Sequence, residues 1–505
     1  MRPLGTTQSR CYALRAMTGR PARPPRVALA PGLEVPRVIT GLWQVADMER
    51  AGRPLDPDAA GKALGEYADS GFDAFDMADH YGSAEIIVGR YLAGAGLGRA
   101  TAFTKWCPLP GPMTPDVVRD GVQERLDRLR LQRVDLLQFH WWQYRHPGYL
   151  DAMLELDRLR RAGRIGHVGV TNFDTDHLRL LVQHGIAVVS NQVSFSLLDR
   201  RPSGRMTELC RASGMKLLAY GVLAGGFLSD RWVGRPEPTE IPDWSKSKYK
   251  RFIDAIGGWD VLQEILSAAK RVADKHRVSV SNVAARWVLE QEAVGAVIIG
   301  ARLGEREHRG DNLALFGFAL DDADKSRLAE AQSRMRELPG DCGDEYRKPP
   351  FLTASGDLSH HLSSLPRVFE ARPGFARPER RAVDSGSRWE PIAGYARAVR
   401  VGDRILVSGT TATHGEGTVV CPGDAEGQTV YILDKIVAAI EALGGELDDV
   451  VRTRIYVRDA RSAEAVARVH GRYFGAVRPA NTLVQIAGLV GDYEVEIEAE
   501  ADVSG

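Results

Sequence analysis

Short apolar runs alternate with amphipathic stretches along the first two thirds of the chain. Segments such as DVVRDGVQERLDRLR (116–130) place apolar residues at helical spacing and charges on the opposite face. Eight strands alternating with helices over about 270 residues predict a (β/α)₈ TIM barrel. An open doubly wound sheet is the alternative, but no GxGxxG follows the first strand. The predicted strands are 38–43, 73–78, 101–106, 134–141, 165–172, 188–195, 216–223 and 295–302.

A stretch rich in Pro, Gly and Ser with little periodicity follows the barrel pattern and predicts a domain boundary. After it, alternating runs at 404–412 and 450–459 flank an amphipathic helix at 430–445. This order predicts a small α+β domain with one sheet and two helices. The predicted domains are a tail (1–33), the barrel (34–336), a barrel extension and linker (337–384) and the α+β domain (385–505).

Composition narrows the class of protein. The 505 residues exceed one ordinary domain, and 44% hydrophobic with 26% charged residues is typical of a soluble globular protein. Lys plus Arg equal Asp plus Glu at 66 each, so charge gives no reason to expect nucleic acid or a membrane as partner. The five cysteines form no CxxC pair, which favours a reducing compartment and predicts no metal site.

The first 33 residues hold six arginines and no acidic residue. Such a composition is compatible with a transit peptide to a plastid or mitochondrion. A disordered tail, or translation from Met17, explains it equally simply. A cytoplasmic location is therefore expected unless this segment is a targeting signal.

Four residues that carry chemistry lie at or just after the ends of predicted strands: Asp76, Tyr81, Lys105 and His140. In a barrel those ends converge on the face where active sites lie. A tyrosine can protonate a carbonyl oxygen if a nearby ammonium lowers its pKa from about 10. A carboxylate can hold that lysine, and a histidine can orient the carbonyl oxygen. Taken singly, Asp76 could be a helix cap, Lys105 a surface charge and His140 a core histidine. Together the four residues predict carbonyl reduction.

The context FDMADHYGSAEIIVG and the order of the four residues resemble the aldo-keto reductases over about 35–335. The resemblance implies NAD(P)H as cofactor. His308 stands where members of the family often carry an Arg that contacts the 2′-phosphate. NADPH is nevertheless expected over NADH. His140 is the residue usual in carbonyl reducers. The residues implied in cofactor binding are Thr171, Asn172 and Gln192 at the carboxamide, Tyr220 stacked on the nicotinamide, Leu223 and Gly225 near the pyrophosphate, and Arg302, His308, Asp311 and Asn312 at the adenosine phosphate.

Substrate contacts are harder to assign. Trp43, Trp106 and Trp141 flank the strand ends and are predicted to line the substrate pocket. Two long connections, 224–256 and 337–365, are expected to set specificity.

The C-terminal segments EPIAGYARAVRVGDRILVSGTTA and RPANTLVQIAGL resemble the Rid (YjgF-like) imine deaminases over about 385–503. Tyr395 and Glu496 occupy matching pocket positions. Asn481 stands where active members carry the arginine that binds the substrate carboxylate. A neutral amide cannot form the two charged hydrogen bonds that a guanidinium makes with a carboxylate. The resemblance therefore implies a ligand-binding or trimerising module rather than an ordinary deaminase, with a homotrimer expected.

The whole chain is thus predicted to be an NADPH-dependent reductase of aldehydes or ketones with an added Rid-like module. Its partner is expected to be a small carbonyl compound. Two alternatives stay open: a regulatory subunit that senses the nicotinamide redox state, and a bifunctional enzyme that also hydrolyses imines.

Overall fold

The structure is a computed structural model that describes residues 22–45, 55–241, 243–304, 308–348 and 365–504. It contains a closed barrel followed by a smaller domain built on one open sheet. Among the helices described, none is long and apolar enough to span a bilayer.

An antiparallel hairpin precedes the barrel and closes one end of it. Its strands are β1 (Arg26–Ala30) and β2 (Leu33–Pro36). Leu29, Leu33 and Val35 pack against inward-facing side chains of the barrel strands. The predicted tail is therefore wrong for residues 26–33, because this alternating strand is hidden in an Arg- and Pro-rich composition. The rest of the expected targeting segment, 1–21, lies outside the described residues.

Eight parallel strands close the barrel, which confirms the predicted fold class. The last strand pairs with both the first and the seventh. Parallel pairing puts the carboxyl ends of all eight strands on one face, where the candidate residues gather. The strands are β3 (Val38–Gly41), β4 (Ala74–Asp76), β5 (Thr101–Trp106), β6 (Val134–Phe139), β7 (Ile165–Thr171), β8 (Val188–Ser194), β9 (Lys216–Tyr220) and β10 (Val294–Gly300).

Helices surround the barrel with their apolar stripes turned toward the strands. Capping side chains mark where two of these helices begin. Thr114 caps the third helix, whose first residue is Pro115, and the Asp174 side chain accepts the backbone N–H of His177 at the start of the fifth helix. The helices are α1 (Pro57–Asp69), α2 (Ala84–Leu92), α3 (Pro115–Leu129), α4 (Gly148–Arg161), α5 (Thr175–Gln183), α6 (Arg205–Ser213), α7 (Trp244–Ile256), α8 (Trp259–His276), α9 (Val280–Leu289), α10 (Arg309–Ala314) and α11 (Asp322–Gln332).

The connection predicted as a long loop at 224–256 is half helical. Helix α7 begins after Asp243, whose side chain accepts the N–H of Lys246. Tyr249, Phe252 and Ile256 lie on its buried side. Their spacing is helical, but the lysine-rich stretch between them masks the pattern.

The C-terminal domain is a seven-stranded sheet in the order β11-β12-β13-β14-β19-β17-β18, backed by two long helices. Its first two strands lie inside the predicted linker, because three-residue strands carry too little alternation to be recognised. A short ribbon, β15-β16, extends from the sheet. The strands are β11 (Ala371–Pro373), β12 (Arg381–Val383), β13 (Ala398–Val401), β14 (Arg404–Thr411), β15 (Thr413–His414), β16 (Thr418–Val419), β17 (Val450–Val457), β18 (Ala480–Gln485) and β19 (Val495–Asp502). The helices are α12 (Trp389–Ala393), α13 (Ala425–Ala442) and α14 (Ala463–Phe474).

Helix α13 is buried on both sides, since it covers its own sheet and packs against α5 of the barrel. His177 of α5 bridges the two domains: Nδ1 lies 2.8 Å from Asp174 and Nε2 lies 2.7 Å from Asp434. The ring also stacks on Tyr144, with centroids 3.6 Å apart. The barrel and the C-terminal domain therefore share a buried, charged contact.

Candidate active site

A buried ion pair lies at the carboxyl ends of β4 and β5. The Lys105 Nζ is 2.6 Å from Asp76 Oδ2 and donates to the Met77 carbonyl at 2.9 Å. The other Asp76 oxygen accepts from the side-chain amides of Gln138 (3.0 Å) and Gln192 (2.7 Å). Both charges are thus partnered by hydrogen bonds, the condition under which a buried pair is tolerated. Gln138 was not identified from the sequence, since a glutamine inside a strand carries no motif.

Tyr81 lies in the loop after β4, next to this pair. Its ring centroid is 5.0 Å from the Lys105 ammonium. Trp43 and His80 pack edge-on against the ring at centroid distances of 4.9 and 5.0 Å. Trp43 thus adjoins Tyr81, and its role as a pocket residue stays a prediction. The Lys105 ammonium therefore lies close to the Tyr81 ring.

His140 follows β6 directly and is buried. Its Nδ1 lies 3.2 Å from the Thr171 carbonyl oxygen, and because a carbonyl only accepts, Nδ1 carries the proton. Burial, with the nearby positive charge of Arg347, holds the His140 pKa well below its usual range. The ring is therefore neutral with Nε2 as an acceptor, and this buried atom has no hydrogen-bond partner among the described residues.

The segment after α11 covers the same face of the barrel. Arg347 donates to the Trp141 carbonyl (3.1 and 2.5 Å) and to the Asn172 carbonyl (2.6 Å), and its guanidinium lies 4.4 Å from the Tyr144 ring centroid. A side chain at Gly343 would overlap the Asn172 carbonyl oxygen, so this close approach requires glycine. The segment is thus tied to the ends of β6 and β7.

Tyr346 of that segment reaches the residue predicted to stack on the nicotinamide. Its hydroxyl is 3.1 Å from the Tyr220 hydroxyl and accepts from Lys248 Nζ at 2.7 Å. Tyr220 also donates to Asn172 Oδ1 at 2.8 Å, and burial raises the Tyr220 pKa well above its usual value. The Tyr346 ring lies 5.6 Å from that of His140. No periodicity marks Tyr346, Arg347 or Lys248 in the sequence.

The residues predicted to hold a carboxamide offer complementary groups. The side-chain N–H groups of Gln192 donate to Asp76 and Gln138, and no described residue donates to its side-chain oxygen. The Asn172 side-chain nitrogen donates to none of the described residues. Thr171 lies beside them and donates to the Gln192 backbone carbonyl at 3.1 Å. One acceptor and one donor are what a nicotinamide carboxamide requires, so these residues fit that group.

The residues predicted at the phosphates follow β9 and β10. Leu223 and Gly225 lie in a tight turn, where Gly225 has a φ of 64°. Arg302 donates to Gln44 at 3.0 Å and lies 3.6 Å from Asp243. The remaining three, His308, Asp311 and Asn312, lie at the start of α10; Asp311 accepts from Asn282 at 2.8 Å.

The prediction that Trp106 and Trp141 line the substrate pocket is wrong. Trp106 packs against Gly121 of α3, and Trp141 stacks on Phe139 while its N–H donates to the Gln143 carbonyl at 2.8 Å. Both rings therefore belong to the core outside the strands. Trp142 faces the site instead, with its ring 4.2 Å from that of His140. Three consecutive residues after a strand end point in different directions, which the sequence does not reveal.

The predicted Rid-like pocket is divided within one chain. Tyr395 accepts from Arg397 at 3.1 Å, Arg397 also donates to the Gly409 carbonyl at 2.7 Å, and Glu496 lies against Gly409. Burial, with the neighbouring Glu498, raises the Glu496 pKa. Asn481 lies elsewhere, on the outermost strand β18.

The place of Asn481 follows from the strand register. It pairs with Thr453, whereas Glu496 pairs with Tyr456 on the other side of β17. Strand β17 and three positions along it therefore separate Asn481 from Glu496, a distance on the order of 10 Å or more. The Asn481 side chain is used locally, since it donates to Thr453 at 2.9 Å.

Comparisons with known proteins agree with this architecture. The profile of the aldo/keto reductase family matches residues 37–333, and that of the family described as endoribonuclease L-PSP matches residues 385–503. An NADH-specific methylglyoxal reductase of Escherichia coli is 24% identical over 322 residues, which cover 58% of this chain and 94% of that protein. A RutC family protein of Pyrococcus abyssi is 33% identical over 112 residues, 22% of this chain and 88% of that protein.

A solved structure shares the barrel. The glycerol dehydrogenase of Gluconobacter oxydans superposes with a TM-score of 0.52 at 25% identity, and the match covers 64% of this chain and 96% of that one. The family match spans more than half of the chain and contains the buried Asp76–Lys105 pair. The chain therefore belongs to the aldo/keto reductases, oxidoreductases that use NAD(P)H, and carries a fused C-terminal domain of the Rid/YjgF type.

Proposed function

We propose that this protein reduces a small aldehyde or ketone to an alcohol with NADPH. The observation that carries the proposal is the Tyr81 ring 5.0 Å from the Lys105 ammonium, itself held by Asp76. This group of side chains can deliver a proton to a developing alkoxide and stabilise the phenolate that remains.

Asn172, Gln192 and Tyr220 would hold the nicotinamide, and the bound cofactor supplies the hydride. Tyr81 gives its proton to the carbonyl oxygen, and Lys105 stabilises the resulting anion. Asp76 keeps Lys105 in place, because the amides of Gln138 and Gln192 fix its other oxygen. His140 accepts a hydrogen bond at Nε2 from the alcohol, since its ring is neutral with Nδ1 occupied.

The substrate lies between Trp43, Trp142 and Tyr346 in this proposal. These rings surround Tyr81 and His140, so they exclude water and favour an apolar group next to the carbonyl. Their bulk favours small substrates over extended ones.

NADPH is proposed over NADH because Arg302 and His308 follow β10, where the resemblance puts the adenosine phosphate. The E. coli relative is named NADH-specific, which makes the preference a point to test. If Arg302 contacts the 2′-phosphate, Arg302→Ala raises the KM for NADPH more than the KM for NADH. Equal effects on both cofactors would remove the argument for NADPH.

The deciding experiment measures turnover and cofactor binding together. The full chain is assayed with a panel of small aldehydes and ketones while NADPH absorbance is followed, and NADPH affinity is measured by fluorescence. Tyr81→Phe should abolish turnover but keep NADPH affinity. Tyr456→Phe, the same change in the C-terminal sheet, should leave both unchanged. Tight binding without turnover of any carbonyl compound would favour the redox-sensing alternative.

For the C-terminal domain we propose a trimerising and ligand-binding role. Its pocket residues are divided within one chain, and the outer strand β18 exposes Val484 and the neighbouring β17 exposes Val451. A second copy of the chain would have to supply its own Asn481 to complete the pocket around Tyr395 and Glu496. Native mass spectrometry should give three times the 55.3 kDa chain mass. A stable monomer would contradict the trimer, and imine hydrolysis by the unmodified protein would contradict the non-deaminase role.

A further inference from the structure

A cavity of about 50 Å³ lies between the barrel and the C-terminal domain. The β6–α4 connection lines it with Tyr144 and Pro147, and α13 lines it with Tyr431 and Lys435. Pro147, Ser385 and Gly415 also line an open cleft of about 660 Å³, so the cavity adjoins solvent. Its size suits a molecule of a few heavy atoms.

Lys435 contributes an amine to the wall of this cavity. Its Nζ donates to the Thr413 carbonyl at 3.1 Å, and it forms no ion pair with any carboxylate in the described ranges. The neighbouring Asp434 is committed to His177 (2.7 Å) and Tyr473 (2.8 Å). Lys435 therefore faces the cavity without the carboxylate that usually accompanies a buried ammonium.

The other two charges near Lys435 act in opposite directions on its protonation: Arg397 opposes it and Glu390 favours it. Arg397 is 4% exposed and brings a second positive charge into the same interior. Glu390 is shared between Arg397 (3.5 Å) and the backbone N–H groups of Ser385 (2.9 Å) and Gly386 (3.1 Å). Burial, reinforced by Arg397, lowers the Lys435 pKa to about 7. A desolvated lysine beside another cation is an activated nucleophile.

A chain of hydrogen bonds links the cavity to the cleft. Tyr431 lines the cavity, and its hydroxyl lies 3.0 Å from His414 Nδ1. His414 lines the cleft, and its Nε2 lies 2.9 Å from Asp151. An oxygen atom of a molecule bound in the cavity can therefore accept a hydrogen bond from Tyr431, which His414 orients.

We propose that this cavity binds a small aldehyde or ketone covalently, as an imine of Lys435. The neutral amine nitrogen adds to the carbonyl carbon, and its proton passes to the carbonyl oxygen to give a carbinolamine. The nitrogen then loses its second proton and the carbon loses the hydroxyl, so one water leaves and a C=N bond forms. No oxidant or reductant is required, and the site is independent of Tyr81.

Reductive trapping tests the proposal on the full chain. The protein is incubated at pH 7 with sodium cyanoborohydride and either pyruvate or glycolaldehyde, then digested and mapped by mass spectrometry. Lys435 should carry at least ten times more adduct than Lys62, an exposed lysine of α1. The pyruvate and glycolaldehyde arms distinguish an anionic from a neutral ligand, and labelling in either supports the site.

Two variants separate this site from the reductase site. Lys435→Arg should lose the adduct, and Tyr81→Phe should keep it even though turnover is abolished. Labelling of Lys435 no stronger than that of Lys62 in both arms would overturn the proposal. If Lys435→Arg does not fold, the wild-type map alone decides, because it compares two lysines of one molecule.

Discussion

The barrel and the C-terminal domain organise their candidate residues in opposite ways. In the barrel, strands far apart in sequence end on one face, and Asp76, Lys105, Gln138 and Gln192 meet in one hydrogen-bonded group. In the C-terminal domain, β17 stands between Glu496 on β19 and Asn481 on β18. A closed barrel brings such residues together within one chain, whereas the order of strands in this open sheet keeps them apart.

The largest effect is expected from breaking the buried pair of the barrel. Lys105→Met leaves the Asp76 carboxylate buried without its cation, which should cost about 3–5 kcal/mol of unfolding free energy. Chemical denaturation measures this loss, and kcat/KM should fall at least about 100-fold. Lys325→Met is the matched control, because Lys325 is half exposed in its pair with Glu290 and should cost less than about 1 kcal/mol. Equal losses of unfolding free energy in both variants would mean that the Asp76–Lys105 pair stabilises the protein no more than a surface pair does.

The next effect concerns the segment after α11. Arg347→Lys removes the fork that binds the Trp141 and Asn172 carbonyls, so the segment should dock less tightly. A rise in the substrate KM of about tenfold is expected, equivalent to one or two hydrogen bonds. Steady-state kinetics check this, with Arg327→Lys on the exposed side of α11 as control. An unchanged KM would show that the segment does not shape the pocket.

The contact between the domains should depend on pH. His177 lies between Asp174 and Asp434, and although burial opposes its protonation, these carboxylates raise its pKa to about 10. Because the folded pKa exceeds the unfolded value of about 6.5, the stabilisation is complete below pH 6.5 and is lost as the pH rises toward 10. The unfolding free energy of wild type relative to His177→Gln should therefore shrink between pH 7 and 10. A constant difference would contradict a protonated bridge.

The smallest effect is expected at the rim of the same contact. Arg472 of α14 donates to Asp176 of the barrel at 2.7 Å, in a partly exposed pair. Arg472→Ala should cost at most about 1 kcal/mol, and the cost should decrease at high salt. Denaturant titrations at low and high ionic strength measure both. A loss as large as that of Lys105→Met would mean that the two regions are not independent.

The sequence predicted the barrel because its strands are apolar throughout and its helices amphipathic. It also predicted the positions of Asp76, Lys105 and His140 at the strand ends, because parallel strands share one direction. It could not predict which of Trp141 and Trp142 faces the site, since that depends on the backbone turn after β6. The roles of Tyr346 and Arg347 escaped prediction because irregular segments carry no period.

The cross-strand register of the second sheet was equally hidden. Asn481 and Glu496 are only fifteen positions apart, yet β17 enters the sheet between their strands. Strand order in an open sheet depends on long-range packing, which local patterns do not report.

Single-turnover kinetics of Tyr81→Phe test the central claim most directly. The enzyme is loaded with NADPH and mixed with a carbonyl substrate identified in the panel, and the loss of NADPH absorbance is followed. The rate of the chemical step should fall at least about 100-fold relative to wild type and to Tyr456→Phe, while NADPH binding stays the same. An unchanged rate in Tyr81→Phe would contradict the assignment of Tyr81 as the proton donor.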